Sequence, residues 1–443
     1  MSEERYIAAI EISSSKVIGA IGRVHDGGQV DIIAVEQEKC VETVRYGIIQ
    51  NLEETSTRLS RVLDRLMRRP AVSPRRITGV FIGLSGRSLR SIPTTVRLTL
   101  PDETEIDDAI IARLRSDALN IAIDNTLEVV DGVPRCYRIG TLETTSPKGA
   151  IGNEIVADFD IVVCRPEVKR NITRVVRDKL GLRIEGFVVT PLAVGHLILT
   201  EHEKRLGCML VDMGAETTTV SIYRKNALFY LATLPFGGRN LTRDIQSLSI
   251  LEDKAEEIKI TSGCAIAPDT PSTLNLNGVK VADVINHTVA RSQEIMANIT
   301  EQVTYAQLKE KDLPGGLICI GGAVKLNGMT DLMARETGLQ VRIGRLPGYV
   351  VIEDIKGQSA EITQVASVLY AGATLTEANC LEIPRREEIP VNGNPDTEEE
   401  PEEKIPPRKP QKESNPNSLF SRLRRGLGSI FSNPEEEDDS LLE

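Results

Sequence analysis

The chain has 443 residues, a formal net charge of −11 and 40% hydrophobic residues, which is enough apolar content for more than one folded domain. The acidic balance argues against a general nucleic-acid binder, whose surface is basic. Its seven cysteines are scattered and form no C-x-x-C pair, so the sequence indicates neither a disulfide framework nor a zinc site.

The first half of the chain alternates strands and helices around a distinct middle segment. A three-stranded meander, a helix and a returning strand are predicted in that order at 6–12, 17–24, 30–38, 52–67 and 77–84. An α+β insertion follows, with strands at 90–100, 129–139 and 155–164 and a helix at 106–122. The alternation then resumes with a helix, a strand and a helix at 167–180, 184–189 and 192–199.

The second half begins with another meander, whose strands are predicted at 208–211, 217–224 and 227–235. Helical segments follow at 244–262 and 281–309, and a strand at 316–320 runs into a Gly-Gly pair. A helix at 326–336, a strand at 339–343 and a helix at 362–371 complete this part. Two meanders that are each followed by helices indicate a duplicated topology, although no sequence repeat accompanies it.

Composition changes sharply after about residue 386. Residues 387–417 are rich in Pro and Glu, and they are predicted to form an extended, disordered linker because they have too little apolar surface to offset the entropy of ordering. The boundaries along the chain predict a first lobe (1–85 and 165–200, with 345–386 packing back onto it), an insertion (86–164), a second-lobe core (201–237 and 310–344) and a second-lobe helical subdomain (238–309).

Two turns of small and hydroxyl residues, each between two strands, are candidate phosphate-binding loops. Such turns direct backbone N–H groups and hydroxyls toward one position. The first turn follows Glu11 and contains Ser13, Ser14, Ser15 and Lys16; the second follows Asp212 and contains Gly214, Thr217 and Thr218. Glu11 and Asp212 are suited to hold Mg²⁺ through water, and Lys16 is suited to contact a phosphate. An ordinary hairpin is the alternative for either turn taken alone.

Two further elements fit a nucleotide. Gly321, Gly322 and Ala323 follow an apolar strand, and glycines there allow a ligand to approach the backbone. Glu256 and Lys259 share one face of a predicted helix and are suited to a ribose hydroxyl and an adenine edge. A surface salt bridge is the alternative for that pair.

The repeated strand-turn-strand with an acid, followed by strand-Gly-Gly-helix, resembles the superfamily of actin, DnaK-type chaperones and sugar kinases. The segment 234–245 (LPFGGRNLTRDI), the insertion at 86–164, and the linker with the basic amphipathic helix after it make the sequence most similar to the bacterial FtsA family. The resemblance covers about residues 5–386 plus that helix. The resemblance implies an actin-like α/β fold with two RNase H-like lobes and ATP between them. It makes residues 11–16 and 212–218 the phosphate loops and 321–323 the adenosine loop, with Glu256 and Lys259 beside the adenosine.

The resemblance also implies a function. FtsA-like proteins are bacterial, bind ATP with Mg²⁺, polymerise as actin-like filaments and tether the FtsZ ring, with other divisome proteins, to the cytoplasmic face of the cell membrane at the division site. It places the dock for the FtsZ C-terminal peptide in the helical subdomain, 238–309. Another actin-like assembly protein of the PilM type, and a sugar or acetate kinase, are the alternatives.

Two departures from the family pattern concern the phosphate loops. Ser13 stands where the family usually has glycine, and Glu216 stands where it usually has a small residue, often glycine. A carboxylate at 216 is expected to repel a triphosphate unless Mg²⁺ or Lys16 intervenes, so we expect nucleotide binding with, at most, slow hydrolysis. No catalytic residue is assigned; His196 lies in the right region, but a structural histidine is the alternative reading.

Residues 418–433 are predicted to form an amphipathic membrane-binding helix. At about 100° per residue its large apolar residues share one third of the helical wheel, with arginines beyond them. The residues predicted to contact an anionic membrane are Leu419, Phe420, Arg422, Leu423, Arg424, Arg425, Leu427, Ile430 and Phe431. A core-packing helix is the alternative. An acidic tail, 434–443, follows, and we expect it either to weaken membrane binding or only to solvate the chain.

Overall fold

The computed structural model describes residues 4–25, 27–40, 42–270, 272–276, 278–353, 359–384 and 431–432. The predicted linker, residues 418–430 of the predicted amphipathic helix and the acidic tail lie outside these ranges. Within them, no helix has both the length and the apolar character needed to cross a membrane.

Elements of the first lobe come from both sides of the insertion. The elements before it are β1 (Arg5–Ile12), β2 (Lys16–Val24), β3 (Val30–Lys39), β4 (Val44–Arg45), β5 (Ile48–Ile49), α1 (Leu52–Met67), β6 (Arg76–Ile77) and β7 (Gly79–Leu84). The insertion contains β8 (Arg90–Glu105), α2 (Asp108–Leu119), β9 (Glu128–Ile139), β10 (Leu142–Thr144) and β11 (Ile151–Cys164). After it come α3 (Pro166–Thr173), a π-helical segment (Arg174–Lys179), β12 (Arg183–Val189), α4 (Thr190–Ile198) and α5 (Glu201–Leu206).

The second lobe follows, and the chain then returns to the first. The second lobe contains β13 (Cys208–Met213), β14 (Thr218–Arg224), β15 (Ala227–Leu234), α6 (Gly238–Gln246), α7 (Glu252–Ser262), β16 (Asn275–Leu276), β17 (Val279–Lys280), α8 (Val281–Tyr305), β18 (Leu317–Ile320), α9 (Met329–Thr337) and β19 (Val341–Ile343), with 3₁₀ turns at Glu310–Asp312 and Gly322–Lys325. The returning elements are β20 (Val350–Ile352), α10 (Ser359–Leu375), β21 (Leu381–Glu382) and β22 (Phe431–Ser432).

The two lobes repeat one sheet topology. In the first lobe β3, β2 and β1 pair antiparallel, after which β1 pairs parallel with β7 and β7 with β12. In the second lobe β15, β14 and β13 pair antiparallel, after which β13 pairs parallel with β18 and β18 with β19. A meander followed by two parallel strands in both lobes confirms the duplicated, actin-like α/β architecture expected from the sequence.

Local sequence explains why the first-lobe elements form where they do. Seven of the eight residues of β1 are buried because helices cover the sheet, which gives a nearly continuous apolar run. The side chain of Asn51 caps α1 by accepting a hydrogen bond from Glu54 N, and Leu59, Val62 and Leu66 are buried on one face of that helix.

The insertion is joined to the second lobe by its sheet. Among the described residues, the order of this sheet is β10-β9-β11-β8-β15-β14-β13-β18-β19, and Arg90 pairs with Ala232 where the insertion meets the lobe. Arg135 also spans this junction: it donates to both carboxylate oxygens of buried Asp160 and to Phe229 O of β15, at 2.8 Å for the last. Burial raises the pKa of Asp160 to about 7, although Arg135 opposes the rise.

Two predicted helices differ from the structure. The segment predicted as one helix at 244–262 is two helices, α6 and α7, because the chain between them turns through Ser249 at a φ of 65°. Phe431 was expected in the terminal helix, but the structure places Phe431–Ser432 in a short strand antiparallel to Phe187–Val188 of β12. That edge of β12 offers backbone groups that an extended segment can pair with.

Candidate functional site

The two candidate phosphate loops have the same geometry in the two lobes. Ser13 N donates to Lys16 O at 2.9 Å in the turn after β1, and Gly214 N donates to Thr217 O at 2.8 Å in the turn after β13. In each strand the acid, Glu11 or Asp212, is the residue before the last. Each lobe therefore contains one candidate phosphate loop and one carboxylate at equivalent positions.

Both carboxyl groups are buried, and the pKa of each is raised. Glu11 is 1% exposed, and within the described residues neither of its carboxylate oxygens has a hydrogen-bond partner. Burial raises the pKa of Glu11 to about 8, and the charge of Asp212 adds to the rise. Asp212 Oδ2 accepts a hydrogen bond from Gln364 of α10, but its Oδ1 is shielded and unpartnered in the same set of residues. Burial raises the pKa of Asp212 to about 6, against the hydrogen bond from Gln364.

A third buried oxygen lies next to Glu11. Thr190 begins α4, and its Oγ1 is shielded from solvent and has no hydrogen-bond partner in the described part of the chain. A Cβ on Gly83 would lie 2.6 Å from Thr190 Oγ1 and 3.7 Å from Glu11 Cγ, so only a glycine leaves room between these side chains. Buried polar atoms without partners are costly, so a polar ligand in contact with these oxygens would be stabilising.

The glycines around the second loop bring the predicted adenosine residues to it. Gly321 has a φ of 95°, and a Cβ there would clash with Met213 O and lie 2.7 Å from Asp212 Oδ1. Gly238 N donates to Gly214 O at 3.0 Å, so the N-terminus of α6 rests on the second loop. A Cβ on Gly238 would lie 3.3 Å from Ala323 Cβ. The second loop, the Gly-Gly turn and α6 therefore meet at one position.

Glu256 and Lys259 reach the same position from α7. Lys259 Nζ donates to Gly238 O at 3.1 Å, to Thr242 Oγ1 at 3.0 Å and to Glu256 Oε2 at 2.7 Å. Burial opposes ionisation of Glu256, but the hydrogen bond and charge of Lys259, together with Thr242 and Arg239, outweigh it and lower the pKa of Glu256. The salt bridge considered as an alternative is therefore present, and it lies beside the Gly-Gly turn.

Glu216 is not the uncompensated charge that the sequence suggested. Its side chain is 0% exposed, and Oε1 accepts from Arg45 Nη1 at 2.9 Å, Arg239 Nη1 at 3.1 Å and Arg243 Nη2 at 2.9 Å. Oε2 accepts from Tyr46 N at 2.8 Å. Burial opposes ionisation, but the Tyr46 N–H and the arginines outweigh it and lower the pKa of Glu216. These arginines, rather than Mg²⁺ or Lys16, offset its charge. We call these five residues the Glu216 cluster.

Two other residues singled out from the sequence have structural contacts. Lys16 Nζ donates to Gln37 Oε1 of β3 at 2.8 Å. His196 is partly buried and stacks on Tyr370, with ring centroids 6.4 Å apart, and burial lowers its pKa. The structural reading of His196 therefore has direct support.

The residues present fit Mg-ATP. No group of three or more His, Cys, Asp or Glu residues that could enclose a metal occurs in the part of the chain that the structure describes. Two carboxylates suit Mg²⁺, which binds through one or two carboxylates, waters and the phosphates of a substrate. The unpartnered oxygens of Glu11 and Asp212 suit such a hydrated cation, and tight turns of this kind direct backbone N–H groups toward one position, which suits phosphates.

Sequence reasoning missed several residues of this site. Gln364 and Arg45 lie far along the chain from their partners, Asp212 and Glu216. No local pattern singles out these two residues or Thr190. Arg239 and Arg243 did carry a signal, because they are four residues apart on one helix face and follow a loop with a single acid.

Comparison with known proteins identifies the family. The family model described as "Cell division protein FtsA" matches residues 209–363, and that of the "SHS2 domain inserted in FTSA" matches residues 86–163. The cell division protein FtsA of Porphyromonas gingivalis is 28% identical over 409 residues, covering 87% of this chain and 84% of the relative. That of Streptococcus pneumoniae is 25% identical over 465 residues, covering 97% of this chain and 100% of the relative.

A solved structure shows the fold independently. The PilM-PilN type IV pilus biogenesis complex is similar with a TM-score of 0.58 at 17% identity, covering 83% of this chain and 98% of that chain. At 17% identity this similarity concerns the fold alone. The shared fold is the actin-like fold described above. With both FtsA family models matching, in separate segments of the chain, and the relatives aligned over most of the sequence, the chain belongs to the FtsA family of cell division proteins.

Proposed function

We propose that this protein binds Mg-ATP between its two lobes, assembles into actin-like filaments and anchors the FtsZ ring to the cytoplasmic face of the cell membrane at the division site. Membership of the FtsA family supports this role. The proposal includes docking of the FtsZ C-terminal peptide in residues 238–309, contact with other divisome proteins and membrane attachment through the amphipathic segment, residues 418–430.

The observation that carries the nucleotide part is the set of buried oxygens on Glu11, Asp212 and Thr190 that have no hydrogen-bond partner within the described residues. Glu11 and Asp212 lie at the ends of the two strands that lead into the candidate phosphate loops. Leaving such groups without a ligand costs free energy that a bound cation and phosphate would recover. The first loop, Ser13–Lys16, and the second, Asp212–Thr218, would hold the phosphates, with Gly321, Gly322 and Ala323 beside the adenosine. Bound Mg²⁺ would offset phosphate charge.

Calorimetry tests the nucleotide part. The unchanged protein should bind ATP with micromolar or tighter affinity in the presence of Mg²⁺. Asp212→Ala should lose most of the Mg²⁺-dependent affinity, because it removes a carboxylate that faces the loops. Asp117→Ala is the matched control, since Asp117 lies on α2 of the insertion and is 47% exposed. Equal ATP affinity in Asp212→Ala and Asp117→Ala would show that Asp212 does not take part in Mg-ATP binding.

Liposome sedimentation tests the membrane part. Leu423→Asp with Leu427→Asp places two acids on the apolar side of the predicted helix and should release the protein from anionic liposomes. Ser421→Asp with Ser429→Asp changes the net charge equally but lies on the polar side, so it should retain more binding. Equal binding of both double variants would contradict insertion of an apolar helix face.

A further inference from the structure

The Glu216 cluster carries more positive than negative charge. Three guanidinium groups converge on one carboxylate oxygen, Glu216 Oε1. Within the described residues, the further acid paired with the cluster is Glu252, 3.8 Å from Arg239 Nε. Three arginines against two acids leave an excess positive charge, which favours binding of an additional anion.

The cluster lies where the two phosphate loops meet. Glu216 belongs to the second loop, and Arg239 Nη2 donates to Ser14 O of the first loop at 3.4 Å. Gly47, next to Tyr46, donates its N–H to Ser14 Oγ at 3.1 Å. The cluster therefore touches both loops and contains residues from both lobes.

Two arginines of the cluster have capacity for a ligand. The side chains of Arg45 and Arg243 are 39% and 37% exposed, whereas that of Arg239 is 11% exposed. Within the described residues, Arg45 and Arg243 each make one side-chain hydrogen bond, to Glu216. A guanidinium has five N–H donors, so each can donate a hydrogen bond to a phosphate oxygen while it keeps its contact with Glu216.

We propose that Arg45 and Arg243 form a phosphate-binding site at the junction of the two lobes, which takes the terminal phosphate of a nucleoside triphosphate or free orthophosphate. Glu216 holds the two guanidiniums in place when no phosphate is bound. This inference rests on the proposed nucleotide site and adds to it a means of distinguishing a triphosphate from a diphosphate. Because Arg45 is in the first lobe and Arg243 in the second, a phosphate held by both also ties the lobes together.

The test compares dissociation constants for ATP and ADP, each with Mg²⁺, by calorimetry. Arg45→Ala and Arg243→Ala should each weaken ATP binding by about tenfold, as expected for loss of one charge-assisted hydrogen bond, while ADP binding stays within about twofold. Glu216→Gln keeps an acceptor for the arginines but removes the competing negative charge, so it should increase the preference for ATP over ADP. Arg97→Ala is the matched control, since Arg97 is 66% exposed on the insertion.

An additional titration separates the two sources of phosphate. If the ligand is free orthophosphate, the ADP-loaded protein should bind it, and Arg45→Ala should abolish that binding. If the ligand is the terminal phosphate, the effect should appear in the ATP titration alone. Either result supports the site.

Two results would overturn the inference in distinguishable ways. An unchanged ratio of ATP to ADP affinity in both arginine variants, without Arg45-dependent orthophosphate binding, would show that the cluster only joins the lobes, and the nucleotide site would stand. If the unchanged protein binds neither nucleotide, the proposed function fails and this inference fails with it.

Discussion

Replacing Glu11 by glutamine should change how the stability of the protein depends on pH. Glu11 has an ordinary pKa of 4.5 in an unfolded chain and a pKa of about 8 in the folded protein. Between these values the unfolded state releases a proton that the folded state retains, so stability is highest at low pH and falls as the pH rises. At about 1.4 kcal/mol per pH unit, the loss attributable to Glu11 between pH 5 and 8.5 is about 4 kcal/mol.

Urea unfolding at a series of pH values measures this effect. The free energy of unfolding of the unchanged protein should fall relative to that of Glu11→Gln by about 4 kcal/mol between pH 5 and 8.5, because glutamine does not titrate. A constant offset between the two proteins is expected from the substitution itself and does not affect the comparison. Parallel pH profiles would show that Glu11 is ionised in the folded protein and would refute the description of the site.

Three further predictions concern other parts of the molecule. Arg135→Ala should destabilise the protein by about 3 kcal/mol at pH 8 and by less at pH 5, where Asp160, whose pKa is about 7, becomes neutral; urea unfolding at both pH values should show the difference, and an equal loss at both would contradict it. Gly321→Ala should abolish ATP binding in calorimetry because the added Cβ clashes with Met213 O. Gly140→Ala is the control and should leave ATP binding unchanged, because Gly140 has a φ of 56° but no atom within 4 Å of the added Cβ. ATP binding by Gly321→Ala would show that residues 321–323 do not form the adenosine loop. A chain ending at Ser432 should bind anionic liposomes more tightly than the full chain at low salt, and the difference in affinity should disappear at high salt. Equal binding at low salt would show that the acidic tail does not oppose membrane binding and only solvates the chain.

Local patterns were sufficient to predict most of the elements that build the site. The run from Tyr6 to Ile12 is apolar except for Glu11 because β1 is covered on both faces, and the small residues after it end the strand at the first loop. The same pattern recurs at β13, which is why the duplicated lobes and the positions of Glu11 and Asp212 follow from the sequence. These features depend on neighbours within a few residues.

The parts that sequence reasoning missed depend on tertiary contacts. Arg45 and Glu216 are 171 residues apart, and Gln364 and Asp212 are 152 residues apart. No residue near Glu216 in the sequence indicates that arginines from both lobes surround it. The sequence therefore predicts repulsion between this carboxylate and a bound triphosphate. Likewise, the pairing of Arg90 with Ala232 joins the insertion to the second-lobe sheet across a sequence separation that no periodicity reveals.

The most direct measurement of the central claim is co-sedimentation of FtsZ with anionic liposomes in the presence of this protein and Mg-ATP. The proposed anchor predicts that FtsZ pellets with the liposomes when the full chain is present, and that it stays in the supernatant when residues 418–443 are removed. FtsZ that pellets equally with the full and the shortened chain, or with neither, would contradict the proposed role.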